Sequence, residues 1–321
     1  MKKIGIIGCG RQAPKHIKGY LENGITDIFV SDILNDKAQD IATEFGIKCM
    51  DIDELISSRE IVSYSVCTPP NTHDEIIEKL ILNNKNFLCE KPISLSIDSL
   101  NRFIKMTKRN HTIAMGGYIY KFSPAYKNLR KLIHQKKELS INNAYLRVAS
   151  PGSDSPWQYS KLDGGGVINE LVVHMIDLVQ WCFGPIKEIK FIKKDIYLPN
   201  RKTKFDNIKI DAEDYIFIKL MTEGNINIDI EADLISKEFV QFLEINNKSF
   251  YTFCSIQPNL PLWINNKMDN NKVIKYFDFQ NLYISQIKYF LDCVDRKIPH
   301  SISTLEESTS ICNIIDQLKE N

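Results

Sequence analysis

The chain has 321 residues, with 41 lysines and arginines against 40 aspartates and glutamates. This length is enough for two domains that each bury a core, so a purely accessory module is not expected. Because the charges nearly cancel, no overall field attracts nucleic acid or an anionic membrane surface. We expect neither as a partner, and predict a small-molecule ligand instead.

The first residues, MKKIGIIGCG, place two lysines before an apolar run, as a secretory signal would. The run ends at Gly8 and no small-residue cleavage pattern follows it, so we predict a first β-strand. No apolar stretch approaches the roughly twenty residues that a transmembrane helix requires. We therefore expect a cytoplasmic protein that does not enter a membrane.

The eight cysteines are scattered along the chain with no CxxC pair and mostly apolar neighbours. A disulfide framework is unusual in a chain of this size, and a zinc site has closely spaced ligands. The cysteines therefore read as reduced core thiols, and no metal is expected.

Residues 3–116 alternate short apolar runs with helical patterns. The runs IGII, IFVS, SYSV, NFLC and TIAM are apolar on both faces, as strands covered by helices are. Alternation of this kind predicts βαβ units and a parallel sheet. We assign residues 1–120 to an α/β domain.

From about residue 120 the pattern changes to an α+β arrangement. Helical patterns lie at 124–134, 167–182, 281–295 and 304–319. INIDIEA at 226–232 alternates apolar and polar residues, which is typical of a strand with one buried face, and TEGN before it suggests a hairpin. We predict an α+β domain with an antiparallel sheet at 121–321, and leave open whether the C-terminal helices pack back on the first domain.

The first strand runs into Gly8-Cys9-Gly10-Arg11-Gln12-Ala13, a GxGxxA pattern. Gly8 permits a tight turn, Gly10 lets the backbone approach a pyrophosphate, and Ala13 allows close packing of the next helix. Phosphates bind the amides at a helix N-terminus. Gly8, Gly10, Arg11 and Gln12 are therefore predicted to bind a dinucleotide in a Rossmann domain, with an ordinary strand-to-helix turn as the alternative.

Asp32 follows the second strand at about the distance at which an acid meets the adenosine ribose hydroxyls. A carboxylate there favours NAD over NADP, since it would repel a 2′-phosphate. NADP stays possible because Arg11 and Lys37 could bind a phosphate. Asp32 could instead cap the helix that begins near Asp36.

Glu90, Lys91 and Pro92 follow the strand NFLC. Ligands of an open parallel sheet bind at the carboxyl ends of its strands, so an acid and a lysine here would face the cofactor. The alternative is a solvated Glu-Lys pair before a turn proline.

Five motifs in fixed order carry a resemblance to a known family. They are GCGRQAPKH at 8–16, VCTPPNTH at 66–73, CEKPIS at 89–94, GGYIYKFSP at 116–124 and GGGVINELVVHMID at 164–177. Together they closely resemble the Gfo/Idh/MocA oxidoreductase family over essentially the full chain. The resemblance implies a Rossmann domain joined to an open-faced antiparallel sheet domain, and a homodimer or homotetramer that pairs through the open sheet face. It also implies NAD(P)-dependent oxidation or reduction of a sugar, an inositol or a nucleotide-linked sugar.

The resemblance assigns roles to individual residues. Cofactor contacts are implied for Thr68, Pro69, Asn71, His73, Glu90 and Lys91, and substrate contacts for Lys91, Tyr120, Trp157, Glu170 and His174. The Lys91–Pro92 bond is expected to be cis. The arginine that commonly follows the tryptophan in the family is Gln158 here, so no contact is carried over from that arginine.

The helical pattern VINELVVHMIDLVQWC carries a narrow polar stripe. Glu170, His174 and Asp177 are spaced i, i+4 and i+7, within an arc of about 60° on an α-helix. From the helix alone, an internally satisfied Glu-His pair is an equal alternative. The resemblance places the family's catalytic acid and histidine on Glu170 and His174, although the usual acid is aspartate.

These residues suggest a division of labour in hydride transfer. His174 suits proton transfer because the ordinary pKa of histidine is about 6.5, and Glu170 would orient its ring or bind a second hydroxyl. Lys91 would hold and polarise the substrate oxygen. Two other functions exist among relatives, a sensor that binds without turnover and an NAD-dependent glycosidase. Retention of Lys91 and His174 argues against the sensor.

Overall fold

The computed structural model describes residues 2–135, 141–202, 207–247, 250–257, 262–266, 271–275 and 280–320. Its contacts divide the chain into two compact units. The first unit contains Met1–Tyr118 and Gln280–Asn313, and the second contains Ile119–Phe279 and Ile314–Asn321. Most of the C-terminal helical segment is therefore grouped with the first unit. The domain bounds 1–120 and 121–321 stay a prediction.

Strands and helices alternate from the start of the chain. In order they are β1 (Lys3–Ile7), α1 (Ala13–Glu22), β2 (Asp27–Ser31), α2 (Asn35–Phe45), β3 (Lys48–Cys49), α3 (Ile52–Ser57), β4 (Ile61–Val66), α4 (His73–Leu82), β5 (Asn86–Cys89), α5 (Ile97–Asn110) and β6 (Ala114–Gly116). The strand-helix alternation predicted for this part of the chain is confirmed.

The second half of the chain is richer in strands. It contains α6 (Pro124–Gln135), β7 (Asn143–Ala149), α7 (Val173–Phe183), β8 (Ile186–Asp195), β9 (Asn200–Lys202), β10 (Asn207–Lys209), β11 (Tyr215–Thr222), β12 (Asn227–Asp233), β13 (Val240–Asn246), β14 (Phe250–Ser255), β15 (Leu262–Asn266), β16 (Asn271–Lys275), α8 (Gln280–Val294) and α9 (Leu305–Glu320). The bounds of α6, α8 and α9 agree with the predicted ones to within one residue.

The first unit is built on a six-stranded parallel sheet in the order β3-β2-β1-β4-β5-β6. The strand order reverses between β1 and β4, which makes their carboxyl ends the topological switch point where ligands of such sheets bind. The chain segments that follow β1, β4 and β5 carry most of the predicted cofactor residues. This sheet confirms the Rossmann prediction.

Local sequence signals fix the helix ends in this unit. The Asp51 carboxylate accepts hydrogen bonds from the amides of Asp53 and Glu54 and so caps α3. Gly46 ends α2 in the left-handed region at φ 63°. Before α9, the Thr304 hydroxyl accepts from the Glu307 amide while the Glu307 carboxylate accepts from the Thr304 amide, a reciprocal capping box.

The second unit contains an eight-stranded sheet in the order β16-β15-β14-β13-β7-β12-β11-β8. Its neighbours are antiparallel, as expected, except that β12 pairs with β7 in parallel. β12 thus pairs with β11 in an antiparallel hairpin on one side and with β7, from much earlier in the chain, in parallel on the other.

The predicted hairpin and the alternating strand are both present. β11 and β12 pair from Tyr215 opposite Asp233 to Met221 opposite Asn227. In the turn, Asn225 adopts φ 59° and its amide donates to the Thr222 carbonyl. Alternate residues of β12 are buried, so one face of the sheet forms the core.

The helices that the structure describes include none that is long and apolar enough to cross a membrane.

Candidate functional site

The turn after β1 requires glycine at its first position. Gly8 has φ +92°, and a Cβ added there would lie 2.7 Å from Thr68 Cγ2 and 2.8 Å from the Cys67 carbonyl carbon. Its amide donates to the Ser31 carbonyl at 2.8 Å. The turn is therefore held between the ends of β2 and β4. A side chain at Gly8 would clash with the residues after β4 and displace the turn from them.

Gly10 has the opposite surroundings. A Cβ added to this exposed residue would meet no atom within 4 Å, so its backbone borders open space. Gln12 is the N-cap of α1, and its side chain makes no capping hydrogen bond. An open glycine next to an uncapped helix N-terminus fits the pyrophosphate of a dinucleotide. Exposed Arg11 lies in the same turn.

Asp32 is tied to this turn. One carboxylate oxygen accepts from the Cys9 amide at 2.7 Å, and the other accepts from the Leu34 amide at 2.9 Å. The second bond stabilises the approach to α2, which begins at Asn35, whereas Leu34, the N-cap residue of that helix, makes no side-chain capping bond. The carboxylate therefore lies beside the glycine turn, where an acid can meet the adenosine ribose.

Tyr283 of α8 contacts the start of α1, and nothing in the sequence motifs indicated it. Its hydroxyl lies 3.2 Å from Gln12 Oε1, and Lys15 Nζ lies 3.4 Å from the same hydroxyl. Lys15 also lies 5.2 Å from the centre of the Tyr283 ring. Burial lowers the pKa of Lys15. Gln12 is thus held by a residue 271 positions away, a separation that local patterns cannot reveal.

A buried hydrogen-bond chain ends at Glu90. The Tyr20 hydroxyl lies 2.9 Å from Ser65 Oγ, which lies 2.9 Å from His16 Nδ1, and His16 Nε2 lies 2.9 Å from Glu90 Oε1. Tyr20, Ser65 and His16 are fully buried. A carboxylate at Glu90 only accepts, so the neutral His16 tautomer that fits these distances carries its proton on Nε2 and accepts at Nδ1 from Ser65. One tautomer satisfies the whole chain.

Lys91 follows Glu90 at the carboxyl end of β5. Its side chain is 9% exposed, and the Lys91–Pro92 peptide bond is cis, as expected from the resemblance.

Two buried cysteines lie at the carboxyl ends of neighbouring strands, Cys67 directly after β4 and Cys89 as the last residue of β5. Burial, as the main cause, and the charge of Glu90 raise the pKa values of both thiols well above the usual one. Both thiols are therefore protonated and are poor nucleophiles.

The segment after β4 holds the other predicted cofactor residues of this unit. The Thr72 hydroxyl lies 2.8 Å from both Thr68 Oγ1 and the Pro69 carbonyl. Asn71 is exposed in this turn. His73 is fully buried, with Nε2 2.9 Å from the Thr68 carbonyl and Nδ1 2.8 Å from the Pro92 carbonyl. His73 thereby joins the segments that follow β4 and β5.

In the second unit, the predicted helix of 167–182 begins with a wider turn. Ile168–Val172 is π-helical and Val173–Phe183 is α-helical. The π-turn follows Gly164 and Gly166, which adopt φ +77° and +94°. The prediction of uniform α-helical geometry from Glu170 to His174 is therefore wrong. A π-turn holds more residues per turn than an α-helix and so rotates Glu170 relative to α7.

Glu170 is buried and hydrogen-bonded to Gln158. Its Oε2 accepts from Gln158 Nε2 at 2.8 Å, and Gln158 Oε1 accepts from Ser153 Oγ at 2.8 Å. Gln158 is 2% exposed and Glu170 is 5% exposed. Neighbouring Trp157 is partly exposed in the one-turn helix Pro156–Tyr159. Gln158, which stands where the resemblance implies a common arginine, therefore positions the Glu170 carboxylate directly.

His174 lies against Tyr120. The two rings are stacked, with centroids 4.7 Å apart and planes 22° apart. Tyr120 is buried, and burial raises the pKa of its hydroxyl. A phenol that stays neutral in this way presents its ring face to the imidazole and restricts the imidazole orientation.

The next residue anchors the same helix. Lys121 Nζ lies 2.7 Å from Asp177 Oδ1, and each side chain is 2% exposed. Asp177 is one turn beyond His174 on α7, while Lys121 follows Tyr120 in the short helix Ile119–Phe122. Two adjacent residues thus contact α7 at successive turns.

Each unit therefore assembles part of the predicted site. Glu90, Lys91 and the glycine turn belong to the first unit, whereas Tyr120, Glu170 and His174 belong to the second. Sequence motifs did not single out the contributions of His16, Ser65, Lys121 and Tyr283. These residues act through contacts between distant parts of the chain.

Two family models match consecutive parts of the chain. Residues 2–118 match GFO_IDH_MocA, described as an oxidoreductase family with an NAD-binding Rossmann fold, and residues 126–246 match the GFO/IDH/MocA C-terminal domain. Together the matches cover well over half of the chain. This protein belongs to the Gfo/Idh/MocA family. Its cofactor class is accordingly NAD, as the first model describes.

Several curated proteins are similar to the chain. It is 26% identical over 183 residues to an inositol 2-dehydrogenase of Rhizobium meliloti, a match covering 57% of this chain and 55% of that relative. It is 21% identical over 311 residues to a myo-inositol 2-dehydrogenase of Thermotoga maritima, covering 94% and 90%. The chain therefore spans only about half the length of the first relative but nearly all of the second.

Solved structures share the fold. A levoglucosan dehydrogenase in complex with NADH and L-sorbose has a TM-score of 0.88 at 15% identity, covering 99% of this chain and 96% of that one. A putative myo-inositol dehydrogenase from Sinorhizobium meliloti has a TM-score of 0.81 at 19% identity, covering 100% and 98%. These likenesses confirm the architecture expected from the motifs.

Proposed function

We propose that this protein is an NAD-dependent dehydrogenase that transfers hydride between the cofactor and a secondary alcohol or ketone of a sugar, an inositol or a nucleotide-linked sugar. The observation that carries the proposal is Lys91, a buried lysine next to buried Glu90 at the carboxyl end of β5. Ligands of a parallel sheet bind at this edge. The similarity of this chain to an inositol 2-dehydrogenase and a myo-inositol 2-dehydrogenase supports the substrate class.

The proposed chemistry divides hydride and proton transfer. When bound, the nicotinamide supplies the redox chemistry by accepting or giving the hydride. Lys91 holds the substrate oxygen and stabilises the negative charge that develops on it. His174 takes the hydroxyl proton in oxidation and returns it in reduction, a role that suits an ordinary pKa of about 6.5. Glu170 orients the imidazole or binds a second hydroxyl.

The geometry within the second unit supports these roles. Stacking against Tyr120 limits rotation of the His174 ring, and the bond from Gln158 fixes the Glu170 carboxylate. Groups held by neighbours do not have to be ordered when substrate binds, which favours catalysis.

The test is a screen of sugars, inositols and nucleotide-linked sugars with NAD⁺, followed by the absorbance of NADH. The first active substrate is then tested with Lys91→Ala, which should lower turnover by about 10²-fold or more. Lys108→Ala, at a lysine whose side chain is 69% exposed, is the matched control and should leave turnover unchanged. Equal turnover of Lys91→Ala and wild type would refute the role of Lys91.

Other outcomes would favour the other functions known among relatives. Cleavage of a glycoside without net NADH would favour an NAD-dependent glycosidase, since the cofactor is then reoxidised in each cycle. Tight sugar binding with no turnover of any substrate would favour a sensor. Either result would overturn the dehydrogenase proposal.

We further propose that copies of the chain pair as a homodimer or homotetramer through the face of the eight-stranded sheet that carries Tyr145, Phe217, Phe242 and Phe253. These rings are partly exposed, and the Phe242 centroid lies 5.1 Å from that of Phe253 and 5.9 Å from that of Tyr145. Aromatic residues are enriched at protein interfaces. Light scattering should give a multiple of 37.1 kDa, and Phe242→Glu should lower it. A monomeric wild type would refute this assembly.

A further inference from the structure

Buried His73 has an unusual set of hydrogen-bond partners. Its Nδ1 lies 2.8 Å from the Pro92 carbonyl oxygen and its Nε2 lies 2.9 Å from the Thr68 carbonyl oxygen. Both partners are backbone carbonyls, which only accept hydrogen bonds. A neutral imidazole has one N–H, so it can satisfy one carbonyl and must turn a lone pair toward the other. An imidazolium has two N–H groups and satisfies both.

His16 provides an internal contrast. Its ring nitrogens face the Ser65 hydroxyl, which donates or accepts, and the Glu90 carboxylate, which accepts. A neutral His16 with its proton on Nε2 makes both bonds. The two buried histidines of the same unit therefore differ in the number of ring N–H groups that their hydrogen-bond partners require: one for His16 and two for His73.

The surroundings of His73 contain negative charge as well as the two carbonyls. Burial lowers the pKa of His73, while the two carbonyl bonds and the charges of Glu90 and Asp74 oppose that shift. Asp74 Oδ1 is buried and, within the described residues, has no hydrogen-bond partner. The nearby Cys67 and Cys89 thiols are protonated, since their pKa values are raised well above the usual one. The position of His73 at the start of α4 acts against the charge.

We propose that His73 is a proton-dependent clamp that, as an imidazolium, joins the segments after β4 and β5 and thereby positions Lys91. Pro92 is the residue after Lys91, and Thr68 lies near the start of the segment after β4. Protonation supplies the second N–H and ties both carbonyls. Loss of that proton removes one tie and sets a lone pair against a carbonyl oxygen, so one segment is released. His73 is a positioning residue, and its role in catalysis rests on the proposed dehydrogenase function.

The direct test observes the imidazole protons in the wild-type protein labelled with ¹⁵N-histidine. At acidic pH, below the ordinary histidine range because burial lowers the pKa of His73, both ring nitrogens of His73 should show attached protons. As the pH rises through the His73 titration, the loss of one His73 proton should shift the backbone amides of both Thr68 and Ile93 with the same midpoint. A single protonated nitrogen throughout, or an amide response on one side only, would overturn the proposal.

A second measurement follows NAD⁺ binding by calorimetry over the same pH range. Wild-type affinity should weaken by about 5- to 10-fold as the pH rises through the His73 titration, since one hydrogen bond is lost. His73→Gln, which has an uncharged side chain, should abolish this dependence. His111→Asn is the matched control, because His111 is exposed at φ 52°, a conformation that asparagine tolerates, and it should retain the dependence. A pH dependence that survives His73→Gln would contradict the clamp.

The two proposals can fail separately. Two protonated nitrogens together with no dehydrogenase activity would sink the proposed function and leave the clamp standing. Dehydrogenase activity together with a His73 that carries one proton throughout would support the proposed function and overturn the clamp. The spectroscopic measurement uses unmodified protein, so it decides the question even if His73→Gln does not fold.

Discussion

The ion pair between Lys121 and Asp177 allows a quantitative prediction about the core of the second unit. Each side chain is 2% exposed, and the charged atoms are 2.7 Å apart. Asp177→Asn keeps the shape of the side chain but removes its charge, which leaves the Lys121 ammonium buried beside a neutral partner. Removing one partner of a buried ion pair costs about 3–5 kcal/mol. We expect a loss of this size in the free energy of unfolding.

Thermal unfolding followed by circular dichroism measures the loss. It should lower the unfolding midpoint by on the order of 10 °C. Glu75→Gln is the control, because its pair with Lys79 is exposed, with 79% and 45% of the two side chains accessible. Exposed pairs contribute about 0–1 kcal/mol. If Asp177→Asn lowers the midpoint no more than Glu75→Gln, the buried pair does not stabilise the unit as argued.

The double variant Lys121→Met/Asp177→Leu separates stability from positioning. Replacing a buried pair by apolar side chains of similar size is often neutral or stabilising, so the midpoint should return toward that of the wild type. Lys121 follows Tyr120, which stacks on His174, and Asp177 is on the same helix as His174. Turnover of the double variant should therefore stay below that of the wild type even though its stability recovers. Full recovery of both would show that the pair only stabilises the fold.

Two further predictions concern the first unit. Asp32→Ala should erase most of a preference for NAD⁺ over NADP⁺ in calorimetric titrations, because it removes the carboxylate that repels a 2′-phosphate; tighter NADP⁺ binding by the wild type would contradict this reading. In the folded protein at pH 8, a thiol reagent should label partly exposed Cys49 and leave Cys67 and Cys89 unmodified, because both are buried and their pKa values are raised. Peptide mass mapping would detect early labelling of either buried thiol.

The parts of the fold that depend on short-range patterns were predictable. The glycine turn, the alternating strand at 226–232 and the capped helix after Thr304 each follow from residues within a few positions of one another. Such patterns also gave Asp32, which the structure ties to the Cys9 amide of the same turn. Local periodicity and turn chemistry therefore gave most of the fold, together with the glycine turn and the acid that we propose contact the dinucleotide.

The remaining features depend on contacts that no local pattern encodes. The π-turn at Ile168–Val172 continues the pattern of the helix that follows it, with apolar residues around a buried acid, so periodicity could not separate it from an α-helical turn. The parallel pairing of β7 with β12 is a choice among strands far apart in the chain. The link from His16 to Glu90 spans 74 positions. Each is decided by tertiary packing.

The hydrogen bond between Gln158 and Glu170 connects two departures from the family pattern implied by the resemblance. In this chain glutamate stands at the position of the usual aspartate, and glutamine at that of a common arginine. The 2.8 Å bond from Gln158 Nε2 to Glu170 Oε2 shows that the longer acid reaches the amide. We therefore expect the two residues to depend on each other.

A double-mutant cycle tests that dependence once a substrate is known. Glu170→Asp shortens the acid by one methylene and breaks the bond, and a hydrogen bond to a charged group contributes about 1.5–3 kcal/mol. Turnover should fall by roughly 10- to 100-fold. Gln158→Arg in the same protein extends a charged donor toward the shortened acid and should restore part of the loss. If the two changes alter turnover independently, the residues are not coupled, and Glu170 must be held by other contacts.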